Sequence, residues 1–185
     1  MSRFDSPQSI LITGASSGIG HSLAEHYAGP GITLFLSGRD SVRLNAVVES
    51  CRQRGAVVHG WIGDVCDEAG VREWITQSDH QCPLNLVIAN AGVALGATRV
   101  EDLHDAVVTS YRVNVNGVFN TVHPALERMA ARQPRPVNNA QVAIVSSVMG
   151  YLGTARSPAY SSSKAAIKAY GESLRGAFRN MGIGV

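Results

Sequence analysis

The chain has 185 residues, with 16 Lys+Arg against 14 Asp+Glu, a formal net charge of +2 and 45% hydrophobic content. This suits one folded domain over residues 1–185 and excludes a disordered chain. The near-balanced charge gives no electrostatic case for nucleic acid or a membrane surface as partner, and no apolar run approaches the roughly 18–20 residues of a spanning helix. Met1–Ser9 is short and polar and lacks a signal peptide's apolar core. Cys51, Cys66 and Cys82 are scattered, odd in number and without CxxC spacing. They point to reduced cytoplasmic residues rather than disulfides or metal ligands.

Strand-length apolar runs alternate with longer amphipathic segments. Ser9–Thr13 is the first predicted strand, followed by a glycine turn and a helix over Ile19–Tyr27. Ile32–Leu36 is the second strand, after which Asp40 or Ser41 can cap a helix through Val42, Leu44, Val47 and Val48. Ala56–Ile62 is the third strand and Glu68–Thr76 its helix. Leu84–Ala89, almost wholly apolar, is the fourth strand, as expected when both faces of a parallel sheet are covered. A long helix is predicted from Tyr111 to Met129, closed by a loop with Pro134 and Pro136. Val142–Val145 is the fifth strand, Ala159–Met181 the last helix, and Ile183–Val185 the start of a sixth strand. Repeated βα units predict an α/β fold with an open, doubly wound parallel sheet and helices on both faces.

The turn Thr13-Gly14-Ala15-Ser16-Ser17-Gly18-Ile19-Gly20 joins the first strand to the first helix. Glycines let the backbone approach a ligand, and the following helix N-terminus favours a pyrophosphate. The same residues also match the G-x-S-x-G nucleophile elbow of a serine hydrolase, which would make Ser16 the nucleophile. A third possibility is a turn with no ligand. No Gly-Lys-Ser/Thr follows, so a nucleoside triphosphatase loop is not supported.

Gly14-x-x-x-Gly18-x-Gly20, Asp64-Val65, Asn90-Ala91-Gly92, Asn114, Ser147 and Tyr160-x-x-x-Lys164 follow one another along the chain. In this order and spacing they resemble the motifs of the classical short-chain dehydrogenases/reductases, and the resemblance extends from Ser9 to Val185. It implies a Rossmann-like fold, a nicotinamide cofactor and a small carbonyl or alcohol substrate. The catalytic set it implies is Asn114, Ser147, Tyr160 and Lys164. The implied cofactor residues are Gly14, Ser16, Ser17, Gly18, Ile19, Gly20, Arg39, Asp64, Val65, Asn90, Ala91 and Gly92, with Tyr160 and Lys164 shared.

The chemistry of these residue types agrees. Tyr160 and Lys164 stand four apart, on one face of a helix. A phenol is a poor base at neutral pH, with a pKa of about 10, and a neighbouring ammonium favours its phenolate. Such a pair can donate a proton to a carbonyl oxygen as hydride arrives, or remove one in reverse. Ser147 lies thirteen residues before Tyr160 and could hold the substrate oxygen, with Ser146 as its rival. Asn114, by the resemblance, helps hold a water connecting Lys164 to solvent.

Leu36-Ser37-Gly38-Arg39-Asp40 bears on cofactor choice. An acid at the end of the second strand accepts hydrogen bonds from the ribose of NAD, whereas arginine suits a 2′-phosphate. Gly38 stands where NAD-preferring relatives place an acid and Arg39 follows, so NADP(H) is expected over NAD(H). The alternative for Arg39 is a surface pair with Asp40.

Two departures from the family pattern, Ala89 and Asn85, remove no catalytic group. A third is larger. Family members continue with a sixth strand, a substrate lid and a seventh strand, so a chain truncated at its C-terminus is expected. The alternative function is therefore a truncated, non-catalytic relative that binds nucleotide or a partner. The resemblance also implies a homodimer or homotetramer, with Val118, Phe119, Val122, Leu174 and Phe178 among the outward-facing apolar candidates.

Overall fold

A computed structural model describes residues 6–96, 99–132 and 140–185. Six strands form one parallel sheet: β1 (Ser9–Ile12), β2 (Thr33–Gly38), β3 (Val57–Ile62), β4 (Leu86–Ala89), β5 (Ala140–Ile144) and β6 (Ile183–Gly184). Their spatial order is β3-β2-β1-β4-β5-β6. Ile10 pairs with Leu34 on one side and Leu86 on the other, which fixes the register at the centre of the sheet. This is the doubly wound, Rossmann-like arrangement expected from the alternating βα pattern. The loop predicted around Pro134 and Pro136 lies outside the described residues.

Strand alternation builds two apolar layers. Ile10, Ile12, Leu34, Leu36, Leu86 and Ile88 point to one face. There they meet α1 (Gly18–Tyr27) through Ala24 and α2 (Ser41–Gln53) through Leu44, Val47 and Val48. Leu11, Phe35, Val87 and Ala89, one residue out of phase, point to the other face. They meet α3 (Glu68–Gln81), α5 (Gly117–Ala130) and α6 (Pro158–Ala177). Within that layer Trp61 of β3 stacks on Trp74 of α3, ring centroids 4.9 Å apart.

Several boundaries differ from those predicted. The long helix predicted to begin at Tyr111 is three pieces: α4 (Val100–Tyr111), one π-helical turn (Arg112–Asn116) and α5. Glu101 and Asp102 in the first turn of α4 favour its positive dipole end. α3 runs on to Gln81, and α6 stops at Ala177 before a 3-10 turn over Arg179–Met181. Val118 and Val122 do not face outward but lie in the core, while Phe119, Leu174 and Phe178 are partly buried against it. Helix starts are well marked: Asp40 caps α2 by accepting from the Arg43 amide at 2.9 Å, and Asp67 caps α3 from the Gly70 amide at 3.1 Å.

Candidate active site

Successive strands are added to one side of β1 up to β3 and to its other side from β4 on, and the loops leaving β1 and β4 bound a cleft of about 710 Å³. Ligands of open α/β sheets gather at such switch points, beyond the carboxyl ends of the strands. One wall is the glycine turn. Gly14 has φ +68°, and a Cβ there would come within 2.8 Å of the Ala91 backbone, so only glycine lets β1 and β4 close up. At Gly20 a Cβ would meet the Gly14 carbonyl at 2.3 Å, so this glycine seats α1 against the turn rather than facing the cleft. Gly14, Ser16, Ser17, Gly18 and Ile19 line the cleft; Gly20 does not. Unlike α2 and α3, α1 has no side-chain cap: Ser17 makes no cap bond and no acid occupies the first turn. Its first turn, with Gly18 and Ile19 beside the cleft, thus has no side-chain acceptor for its free amides.

The opposite wall comes from β4. Asn90 Nδ2 donates to the Thr13 carbonyl at 2.9 Å and the Gly14 carbonyl at 3.3 Å. Thr13 Oγ1 in turn accepts from the amides of Asn90 (3.1 Å) and Ala91 (3.2 Å). Asn90 thus laces the two loops together, while Ala91 and Gly92 present backbone to the cleft. Thr13 was not foreseen from sequence, although a hydroxyl directly before the glycine turn is a visible signal.

The far end is polar. Arg39 and Arg43 both line the cleft. Asp40 is bound to Arg43 (2.7 Å), so the alternative of an Arg39–Asp40 pair is not realised. Arg39 instead lies 3.7 Å from Asp64 across the cleft mouth, two-thirds exposed. Burial pushes the Asp64 carboxyl up, but the Cys66 amide (3.0 Å), Arg39 and Arg112 outweigh it and hold it below the ordinary range. Val65 lines the same end, its carbonyl accepting from Asn120 Nδ2 at 2.9 Å.

At the other end Tyr160 and Lys164 enter from the first turns of α6. Lys164 is almost fully buried; its Nζ donates to the Val145 carbonyl at 2.7 Å and lies 5.9 Å from the centre of the Tyr160 ring. Burial holds this ammonium below the ordinary lysine range. Asn114 sits inside the π-helical turn, fully buried, and does not reach the cleft. Its Oδ1 accepts from the Val93 amide (2.8 Å), and its Nδ2 donates to the Val93 carbonyl (2.9 Å) and Ser163 Oγ (3.0 Å). Ser163 Oγ donates to the Tyr160 carbonyl at 2.8 Å, tying this network to α6.

Of the two serines after β5, Ser146 lines the cleft and Ser147 does not. Their hydroxyl protons also differ. Ser146 Oγ donates to the Lys164 carbonyl at 2.9 Å, whereas Ser147 Oγ accepts from the Met149 amide at 3.2 Å and keeps its own proton for another acceptor. Among the described residues no histidine lines the cleft, so Ser16 has no imidazole base there and the nucleophile-elbow alternative loses its chemistry.

The family profile for short chain dehydrogenases matches residues 8–185. Over 180 residues the chain is 35% identical to an uncharacterised oxidoreductase of Myxococcus xanthus, spanning 96% of this chain and 69% of that one. An uncharacterised oxidoreductase of Staphylococcus saprophyticus is 30% identical over 177 residues, or 95% and 74% of the two chains. A short chain dehydrogenase/reductase from Burkholderia phymatum, solved in complex with NAD, superposes with a TM-score of 0.89 at 30% identity, covering 100% of this chain and 65% of that one. The chain thus spans 65–74% of the length of these three relatives. With the switch-point cleft, the glycine turn and the Tyr160–Lys164 pair in one fold, these matches show that the chain belongs to the short-chain dehydrogenase/reductase family of oxidoreductases.

Proposed function

We propose that residues 1–185 form a single dinucleotide-binding and catalytic unit of an NADP(H)-dependent oxidoreductase, acting on a small carbonyl/alcohol pair with Tyr160 as general acid/base. One observation carries this reading: Tyr160 and Lys164 line the same cleft as the uncapped N-terminus of α1 and Arg39. The residues present fit a dinucleotide. The amides of the glycine turn would hold the pyrophosphate, Arg39 the 2′-phosphate, Asp64 and Val65 the adenine end, and Asn90–Gly92 the ribose and nicotinamide side. When bound, the cofactor supplies or accepts the hydride.

The protein's own groups move the proton. In reduction the Tyr160 hydroxyl donates its proton to the substrate oxygen, and in oxidation its phenolate removes the alcohol proton. Lys164 stabilises that phenolate by charge and would reach the nicotinamide ribose. Ser147, next to the cleft-lining Ser146, would donate its uncommitted hydroxyl proton to a substrate oxygen that reaches past that wall. Asn114 acts through the backbone of its π turn, helping to hold a water that links Lys164 to solvent. The three free cysteines support a cytoplasmic setting, and a homodimer through α5 and α6 is the proposed assembly.

The test is NADPH oxidation with a panel of aldehydes and ketones, comparing wild type with Tyr160→Phe. Turnover that vanishes in the variant while NADPH still binds supports the reading. NADPH binding without turnover of any carbonyl by wild type would favour the non-catalytic alternative.

A further inference from the structure

β2 ends on Gly38, and its backbone does not ask for glycine. Its φ lies outside the left-handed region, and residues 33–38 form a regular strand paired in register with β3. What demands glycine is Ser16. A Cβ on Gly38 would lie 2.8 Å from Ser16 Cβ and 2.9 Å from Ser16 Oγ, while the next neighbour, the Ser16 amide nitrogen, would be in ordinary contact at 3.5 Å. Rotating the Ser16 hydroxyl can relieve the second contact but not the first, because a Cβ is placed by the backbone rather than by a rotamer.

Nor can the backbones part freely. The Ala15 amide donates to the Ser37 carbonyl at 2.7 Å, and the Gly63 amide donates to the Gly38 carbonyl at 3.2 Å. Ala15 and Ser37 are both buried, so separating them would strand polar groups without water. The last residue of β2 is where a carboxylate would accept hydrogen bonds from the adenosine ribose of a non-phosphorylated dinucleotide.

We propose that Ser16 is a specificity-determining residue: its side chain interlocks with Gly38, bars an acidic side chain at that position and leaves the ribose end to Arg39 and a 2′-phosphate. The direction of the selectivity rests on the NADP(H) reading; the interlock is steric and stands apart from it.

The experiment is a pair of double-mutant cycles, Ser16→Gly with Gly38→Ala and Ser16→Gly with Gly38→Asp. Each protein is read by its Tm and by nicotinamide-fluorescence titration with NADPH and NADH. Gly38→Ala alone should lower Tm by roughly 3–10 °C, as for overpacking in a chain of this size. In the Ser16→Gly background it should cost little. Gly38→Asp alone should weaken both cofactors, whereas the double variant should bind NADH about tenfold more tightly than NADPH. The Ala cycle keeps the test open even where Gly38→Asp fails to fold. Additive effects in the Ala cycle overturn the interlock whatever cofactor the wild type prefers. Gly38→Asp turning to NADH with Ser16 in place overturns Ser16 as the barrier. A wild type that prefers NADH overturns the NADP(H) reading and, with it, the selective role.

Discussion

Lys164 carries the tightest constraint at the scale of single residues. Its ammonium is held below the ordinary lysine range by burial, with one carbonyl partner in hand. Because the folded pKa lies below the unfolded one, folding is penalised while the amine is charged. That penalty fades as pH rises through the folded pKa towards about 10.4. Carbonyl reduction needs the charge, so its alkaline limb should fall at a pH below that of an ordinary lysine, measured as NADPH oxidation against pH. A limb at or above the ordinary lysine value would contradict the burial.

The neighbouring substitutions separate roles. Tyr160→Phe should lower kcat by about 10²–10⁴-fold with little change in cofactor affinity. Lys164→Ala should damage both, since it removes a charge and leaves the half-buried Val145 carbonyl without its donor. Ser147→Ala should slow turnover more than Ser146→Ala, because only the Ser147 proton is uncommitted; the reverse order would give Ser146 the role. Arg39→Ala should weaken NADPH about tenfold and NADH little, a modest figure because Arg39 is largely solvated.

Asp79 is the clearest clamp between elements. It sits on α3, buried, and holds Arg128 of α5 (3.1 Å), Arg132 just beyond α5, and the Leu84 amide (3.0 Å). Burial pushes its carboxyl up, but the Leu84 amide and the Arg132 and Arg128 guanidiniums outweigh that and hold it below the usual range. A depressed folded pKa gives stability that is present above the unfolded value of about 3.9 and lost as pH falls through the folded one. Asp79→Ala should cost about 3 kcal/mol and lower Tm by roughly 6–12 °C, while reducing the acid sensitivity of unfolding. An unchanged Tm would show that the clamp contributes nothing.

The same elements show what was legible in the sequence. The alternation of Ile10, Leu11 and Ile12, and of Leu34, Phe35 and Leu36, is visible as apolar runs, and it is what builds the two layers of the sheet. The π turn was not legible. Tyr111-Arg112-Val113-Asn114-Val115 has ordinary helical spacing, and only tertiary contact with Val93 and Ser163 shows why the helix widens at Asn114. Helix α4 has no counterpart among the predicted elements; it buries Ala106 and Ser110, while Val100, Leu103 and Val108 stay exposed. Motif spacing could not distinguish residues that face the cleft, such as Lys164, from those that build its walls, such as Gly20 and Asn114.

On the scale of the whole molecule, the outer surface of α5 and α6 bears on assembly. Phe119, His123 and Tyr170 form an aromatic cluster joining α5 to α6, with His123 exposed. These are the helices proposed to meet in a dimer. Light scattering should give a dimer mass for the 185-residue chain, and His123→Glu should shift it towards monomer by placing a charge on that surface. A monomeric wild type would reject the contact.

The switch-point cleft is the proposed NADP(H) site. Nicotinamide-fluorescence titration of the wild-type chain with NADPH and NADH, side by side in one buffer, tests it most directly. Both should bind saturably, with NADPH about tenfold tighter. Tighter NADH, or no saturable binding of either, would contradict it.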